Sequence, residues 1–373
     1  MKKVPVYAYY FPNWHVDPQN EKWHGTGWTE WNVVKHATPR FEGHDQPRIP
    51  LWGYEDESDP KVMEKKIETA MAHGIDGFIW DYYRFADGNY RERALEEGFF
   101  KAKNNEKFKI ALMWCNHDPI YAHPATRLRP MDVLKNGDLS YDEFLEGMDY
   151  FIKNYFVKPN YMRIDGKIYF VIFNPIKLVN GMGGMEKAKM AFTEARRRVA
   201  AAGLGEIMFG ANIRLIEGFN ENDKKAFNEF AKSLGIESAI RYNWGGNFPE
   251  GFPDVDLNQY TKNGLTTFER DSALCDFAVN PTVCNGWDSS ARTVQSDIYE
   301  DVGYPFTKIV NGRDPELYEK SLLAVKEFSE RDDFKGQFIT LSTWNEWTEG
   351  DYLEPDTKFG YAFLEKIKKV FGY

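Results

Sequence analysis

The stretch "GQFITLSTWNEW", residues 336–347, begins as an apolar run and ends in two tryptophans, an asparagine and a glutamate. Its first half is almost continuously apolar, as expected of a parallel strand buried on both faces. Seven further runs share that plan: "VPVYAYYF" (4–11), "IDGFIWDYY" (75–83), "FKIALMWCN" (108–116), "KIYFVIFN" (167–174), "EIMFGAN" (206–212), "ESAIRYNW" (237–244) and "FAVNPTVCNGWD" (277–288). Between them lie stretches with helical periodicity, at 59–74, 90–104, 141–156, 184–203, 222–235, 315–331 and 360–372. The first opens on Asp59-Pro60, a capping residue followed by a first-turn proline, and stops at Gly74. Only the interval between the sixth and seventh runs lacks an obvious long helix. Eight strand–helix alternations in 373 residues predict an α/β fold, a (β/α)8 TIM barrel with enlarged βα loops, as a single catalytic domain over 1–373. The structural competitor is a doubly wound open sheet, but no G-x-G-x-x-G follows the first strand.

Barrel active sites lie at the carboxyl ends of the strands. Here those ends carry aromatic, amide and carboxylate residues: Tyr9 and Tyr10, Asp81 and Tyr82, Trp114 and Asn116, Trp244, Trp287 and Asp288, then Trp344, Asn345, Glu346 and Trp347. All are candidate cleft residues. Asp76, at the start of its strand, is expected to be structural. His117 and Asp118 follow the third strand and are candidates for the cleft, and Arg292 either grips substrate, orients a glutamate or staples a loop with Asp288.

Glycosidic cleavage needs one carboxyl group to protonate the leaving oxygen and a second to act as base or nucleophile. Glu346 and Glu349 stand three residues apart at the end of the eighth strand, between tryptophans that can exclude water and raise a carboxyl pKa. The alternative is a solvated acidic loop running through Glu349, Asp351, Glu354 and Asp356; Glu354 is also a candidate sugar ligand. The first loop, residues 11–54, adds aromatic and polar groups suited to sugar faces and hydroxyls, with Trp14, His15, Trp28, Glu30, His44 and Gln46 as candidates. Its histidines lack the compact spacing of a metal site, so no metal is expected.

Composition narrows the classes further. Aromatics make up 16% of the chain, with 11 Trp, 21 Tyr and 28 Phe, which fits an aromatic-lined cleft or an aromatic-rich core. A net charge of −10 argues against nucleic acid or an anionic membrane as principal partner. The three cysteines form no C-x-x-C pair and are expected to be buried thiols. No apolar run reaches the length of a membrane span. "MKKVPVYAYYF" reads as a first strand, which makes the chain as given cytoplasmic; a trimmed leader would place it in the periplasm or at the cell surface. Neither a G-x-S-x-G nucleophile elbow nor a phosphate-binding P-loop occurs, and no cofactor is expected.

The motifs "YYFPNWH", "GWTEWNVV", "GHDQPRIP", "GIDGFIWDYY", "NGWDSSAR" and "WNEWTEGDYLEPD" resemble those of the WbsX-type proteins, relatives of the endo-α-mannosidase/endomannanase glycoside hydrolases of family ninety-nine. The resemblance runs from Tyr9 to Gly360. It implies a metal-independent barrel glycosidase acting on an oligo- or polysaccharide, with Glu346 and Glu349 matching the catalytic glutamates. Glu346 would then assist the sugar's own 2-hydroxyl in attacking the anomeric carbon, and Glu349 would serve as acid and base, with net retention. Thr348 stands where the endo-α-mannosidases carry histidine. The WbsX branch has also been labelled glycosyltransferase, so synthesis with a sugar nucleotide and inactive sugar binding are the competing readings.

Overall fold

The computed structural model describes residues 4–213 and 224–372. The start of the helix expected over 222–235 therefore lies outside the described residues. Nine parallel strands trace the barrel: β1 (Val6–Tyr10), β2 (Gly77–Phe85), β3 (Lys109–Trp114), β4 (Lys167–Ile172), β5 (Ile207–Asn212), β6 (Ile236–Ile240), β7 (Ala278–Val279), β8 (Thr282–Cys284) and β9 (Ile339–Ser342). Neighbours pair in the order β7-β6-β5-β4-β3-β2-β1-β9-β8. The two ends of that path, β7 and β8, are successive pieces of the single run 277–288, separated by Asn280-Pro281. Proline lacks the N–H a ladder needs, so the run breaks there. Its first piece bonds to β6 and its second to β9, which carries the sheet round to its start.

Strand alternation separates two apolar layers. Val6, Ala8 and Tyr10 of β1 belong to the layer between sheet and helices. Tyr7, Tyr9 and the following Phe11 fill the barrel interior, with Ile79, Tyr83, Met113, Cys115, Tyr169 and Val171. Gly210 on β5 makes room inside, since a β-carbon there would lie 2.7 Å from the Tyr169 hydroxyl. Asp76 accepts a 2.9 Å hydrogen bond from the Val6 amide at the base of β1, the structural role expected of it.

The outer helices are α1 (Pro60–Ala72), α2 (Tyr141–Phe151), α3 (Met185–Ala201), α4 (Lys224–Leu234), α5 (Leu257–Leu265), α6 (Thr267–Leu274), α7 (Pro315–Ser329) and α8 (Ala362–Phe371). Asp59 caps α1 by accepting from the Lys61 amide, with Pro60 at its first position. The interval that showed no long helix holds two short ones, α5 and α6. Its pattern is obscured by Gly264, which is required because Trp244 packs directly on it. The helix expected over 90–104 shrinks to a π-helical turn, Ala94–Phe99, after a short strand, Gly88–Tyr90, folds back on β2. Cys115, Cys275 and Cys284 are buried free thiols.

Candidate active site

A cavity of about 570 Å³ opens at the carboxyl end of the barrel. Asp81 reaches it from the middle of β2, Tyr242 from beyond β6, and Glu346 and Glu349 from the loop after β9. Arg292 comes from the loop after β8 and ties these groups together. Its Nη2 donates to Glu346 Oε1 at 3.0 Å and to Glu30 Oε1 at 3.2 Å. Its Nη1 donates to Glu349 Oε1 at 2.6 Å, and its Nε to Thr348 Oγ1 at 2.9 Å. The Tyr304 hydroxyl adds a 2.8 Å hydrogen bond to Glu349 Oε1. Arg292 thus orients both glutamates and does not staple its loop to Asp288.

The electrostatics follow from one cation held among buried carboxylates. Burial pushes the Glu346 carboxyl well above its ordinary range and repulsion from Glu349 adds to that, while Arg292 opposes it. Burial likewise pushes Asp81 up, against the Tyr242 hydrogen bond. Glu30 goes the other way. Burial alone would raise it, but His123 and Arg292 hold it well below the usual carboxylate range. The Tyr242 hydroxyl lies 2.9 Å from Asp81 Oδ2 and 2.5 Å from Glu346 Oε2. A phenol has one proton to donate. Both contacts are hydrogen bonds only when one of the two carboxyls carries a proton of its own.

A second buried cluster supports the glutamate turn from behind. Asp288 accepts from Gln46 Nε2 at 2.7 Å and contacts His44 Nε2 at 2.9 Å and Arg48 Nη2 at 3.3 Å, which with the Ser290 amide hold its carboxyl well below the usual range despite burial. The Asp288 amide donates to the Glu349 carbonyl at 2.6 Å, and Arg48 Nη1 to the Gly350 carbonyl at 2.9 Å. Gly350 has φ 67°, and a β-carbon there would come within 2.2 Å of Arg48 Nη1. Only glycine fits this turn. Glu354 accepts from the indole nitrogens of Trp344 and Trp347 at 2.9 and 2.8 Å and pairs with Lys66, while Asn345 bonds the Phe11 backbone and Glu57.

The cavity therefore takes Asp81, Trp287, Glu346 and Glu349 from the expected set, along with His117 and Asp118. The structure does not bring Tyr10, Tyr82, Trp114, Trp244 or Trp344 to it. Alternation turns these five outward, into the layer under the helices, where Trp114 lies against Gly147 and Trp244 against Gly264. Tyr9 sits inside the barrel beneath the cavity, donating to the Arg241 carbonyl and packing on Tyr242. Trp14 packs on Trp31, and His15 is fully buried with it. Trp28 stacks near His24 and His123 beside the cavity wall. Asn116 holds the backbone of Asn174, and Trp347 stacks on Tyr352. Glu30, His44, Gln46, Asp288, Asn345 and Glu354 bond to other residues of the protein and do not line the cavity.

Sequence reading missed Tyr242, Tyr304 and His123. Tyr242 lies two residues before Trp244 at the end of the run 237–244; Tyr304 and His123 sit in loops with no strand signal. Among the described residues no group of three or more His, Cys, Asp or Glu is arranged to hold a metal ion, and no helix is long and apolar enough to cross a membrane.

Comparison with known proteins agrees with this architecture. The GH99 endo-alpha-mannosidase from Bacteroides thetaiotaomicron superposes with a TM-score of 0.59 at 13% identity, over 98% of this chain and 95% of that one. A glycoside hydrolase-like protein gives 0.61 at 14% identity, over 100% and 95%. At those identities the likeness shows the fold: a TIM barrel of the kind glycoside hydrolases use. In sequence, the uncharacterized protein WxcX of Xanthomonas campestris pv. campestris is 25% identical over 97% of this chain and 49% of its own length. The chain thus spans about half the length of the curated relatives it matches. The profile described as glycosyltransferase WbsX matches residues 6–367, and the chain belongs to that family.

Proposed function

We propose that this chain is a retaining glycoside hydrolase that cleaves within an α-linked oligo- or polysaccharide of mannose-like sugars, working as one catalytic unit. The observation that carries the reading is the pairing of Glu346 and Glu349 on one guanidinium, Arg292, at the wall of the cavity. Two carboxyls in one enclosed site, held on a common cation, meet the chemical need for a proton donor and a base.

In the proposed reaction Glu346 takes the proton of the sugar's 2-hydroxyl as that oxygen bonds to the anomeric carbon. The glycosidic bond breaks, and Glu349 delivers its proton to the leaving oxygen. A water then attacks the anomeric carbon of the 1,2-bridged sugar and breaks its bond to the 2-oxygen, giving its proton to Glu349, while Glu346 returns a proton to the 2-oxygen. Two displacements at one carbon leave its configuration retained. Tyr242 aims Glu346, and Arg292 sets the spacing of the pair.

The test is to incubate the protein with α-mannans and other bacterial and fungal polysaccharides and to measure new reducing ends. Glu346→Gln and Glu349→Gln are each expected to lower activity by about 10²-fold or more, the scale of one general acid or base. Full activity in both variants would sink the assignment. The family's description supports transfer as the second reading, and a sugar-nucleotide panel run alongside separates it: product only with nucleotide donors favours synthesis.

A further inference from the structure

Arg91 lines the same cavity and takes no part in the chemistry above. It is 8% exposed, yet among the described residues no carboxylate lies within ion-pair distance of its guanidinium, and its Nε has no hydrogen-bond partner. The other arginine and lysine of the cavity wall are neutralised. Arg292 pairs with Glu30, Glu346 and Glu349, and Lys177 with Asp118 at 2.9 Å and Asp138 at 2.7 Å. The histidines His24 and His117 are lowered by burial to about 4 and stand neutral. Arg91 is the one arginine or lysine of the cavity wall with no ion-pair partner among the described residues.

Its setting is built. The guanidinium carbon lies 5.0 Å from the Phe11 ring centroid, 4.7 Å from that of Tyr83 and 4.5 Å from that of Tyr90. Its backbone sits in the left-handed region at φ 63°, uncommon outside glycine, with the amide bonded to Asp17 Oδ2 at 3.1 Å. Aromatic faces replace part of the hydration a guanidinium loses on burial. They are not counter-ions, and an arginine buried without a carboxylate is rare. An anionic group supplies the missing partner, and the planar N–H fork suits carboxylate, sulfate and phosphate oxygens.

We infer that the glycan bound here carries an anionic substituent, a ring carboxylate or a sulfate or phosphate ester, that pairs with Arg91. This rests on the reading of the cavity as a glycan site. The experiment is calorimetric titration of the protein with mannose, mannuronate, mannose 6-sulfate, mannose 6-phosphate and inorganic phosphate. At least one acidic sugar is expected to bind roughly ten- to a hundredfold more tightly than mannose, and the preferred one identifies the substituent. Arg91→Gln is expected to abolish that preference, and Arg91→Lys to retain part of it. Equal binding of mannose and its acids by the unaltered protein, which needs no variant to fold, overturns the inference and leaves the glycosidase reading intact. A preference that survives Arg91→Gln overturns the assignment to Arg91. Inorganic phosphate bound as tightly as the sugar phosphate removes the sugar from it. Failure of every sugar to bind overturns both readings.

Discussion

Replacing Arg292 by glutamine removes the one guanidinium that Glu30, Glu346 and Glu349 share, and the consequence can be worked out before any substrate is known. Arg292 is 6% exposed, and Glu30, Glu346 and Glu349 are buried with it. Breaking a buried ion pair by deleting one partner costs about 3–5 kcal/mol, because the remaining charge stays desolvated. Unfolding entropy of roughly 2.1 cal/mol/K per residue over 373 residues is about 0.8 kcal/mol/K, so Tm should fall by about 4–6 °C near neutral pH. The loss must also depend on pH, with a sign set by the carboxylates. Arg292 pulls the pKa of Glu30 and Glu346 downward, so its stabilisation is present where they are ionised. That contribution fades as falling pH protonates them. Thermal denaturation of both proteins from pH 8 down to pH 4 is the assay. The gap in Tm should be largest where Glu346 is ionised and shrink as pH falls through its raised folded pKa, while Glu30, held low, keeps its charge. Adding Glu346→Gln to Arg292→Gln should recover part of the loss at pH 8, since it removes one stranded charge. Equal Tm at pH 8, or a gap unchanged between pH 8 and pH 4, would refute the picture of one cation serving three buried carboxylates.

Two further changes test other parts of the site. Tyr242→Phe deletes a hydrogen bond that lowers the pKa of Glu346; a bond to a charged acceptor is worth about one to two pH units, and the acid limb of kcat/KM should move up by that much. An unmoved limb would show that Glu346 does not titrate in that limb. Gly264→Ala, normally favourable within a helix, should instead destabilise by about 1–3 kcal/mol in urea denaturation, because the added carbon would lie 2.1 Å from the Trp244 ring. A stabilised variant would show that Trp244 does not occupy the layer under α5.

The motif at 344–349 was legible from its sequence alone as a place where two carboxyls meet at a strand end. Its supports were less so. Asn345, Glu354, His44, Gln46 and Asp288 carry the right chemistry for sugar ligands, and in the structure they spend it on each other, on Trp344 and Trp347, and on the backbone around Glu349. A polar side chain in a loop advertises its donors and acceptors, not whether a neighbour from another loop has already taken them. Arg292 illustrates the opposite case. Its role as orienter was one of several open possibilities, and the fold decided it by bringing 30, 292, 304, 346 and 349 to one point.

What the amino-acid order determined by itself was the sequence of buried runs and amphipathic stretches. Strands covered on both faces must be apolar throughout, and helices covering them must be apolar on one side. From that came the barrel and the end of it where the candidate site lies. Tertiary structure decided which residue of each adjacent pair at a strand end looks inward. Asp81 and Tyr82, and Trp114 and Cys115, are neighbours in the chain, but successive side chains point to opposite faces. In strands apolar on both sides, the pattern holds no mark of which face is the interior; only closure of the sheet, through the split run β7–β8, assigns it.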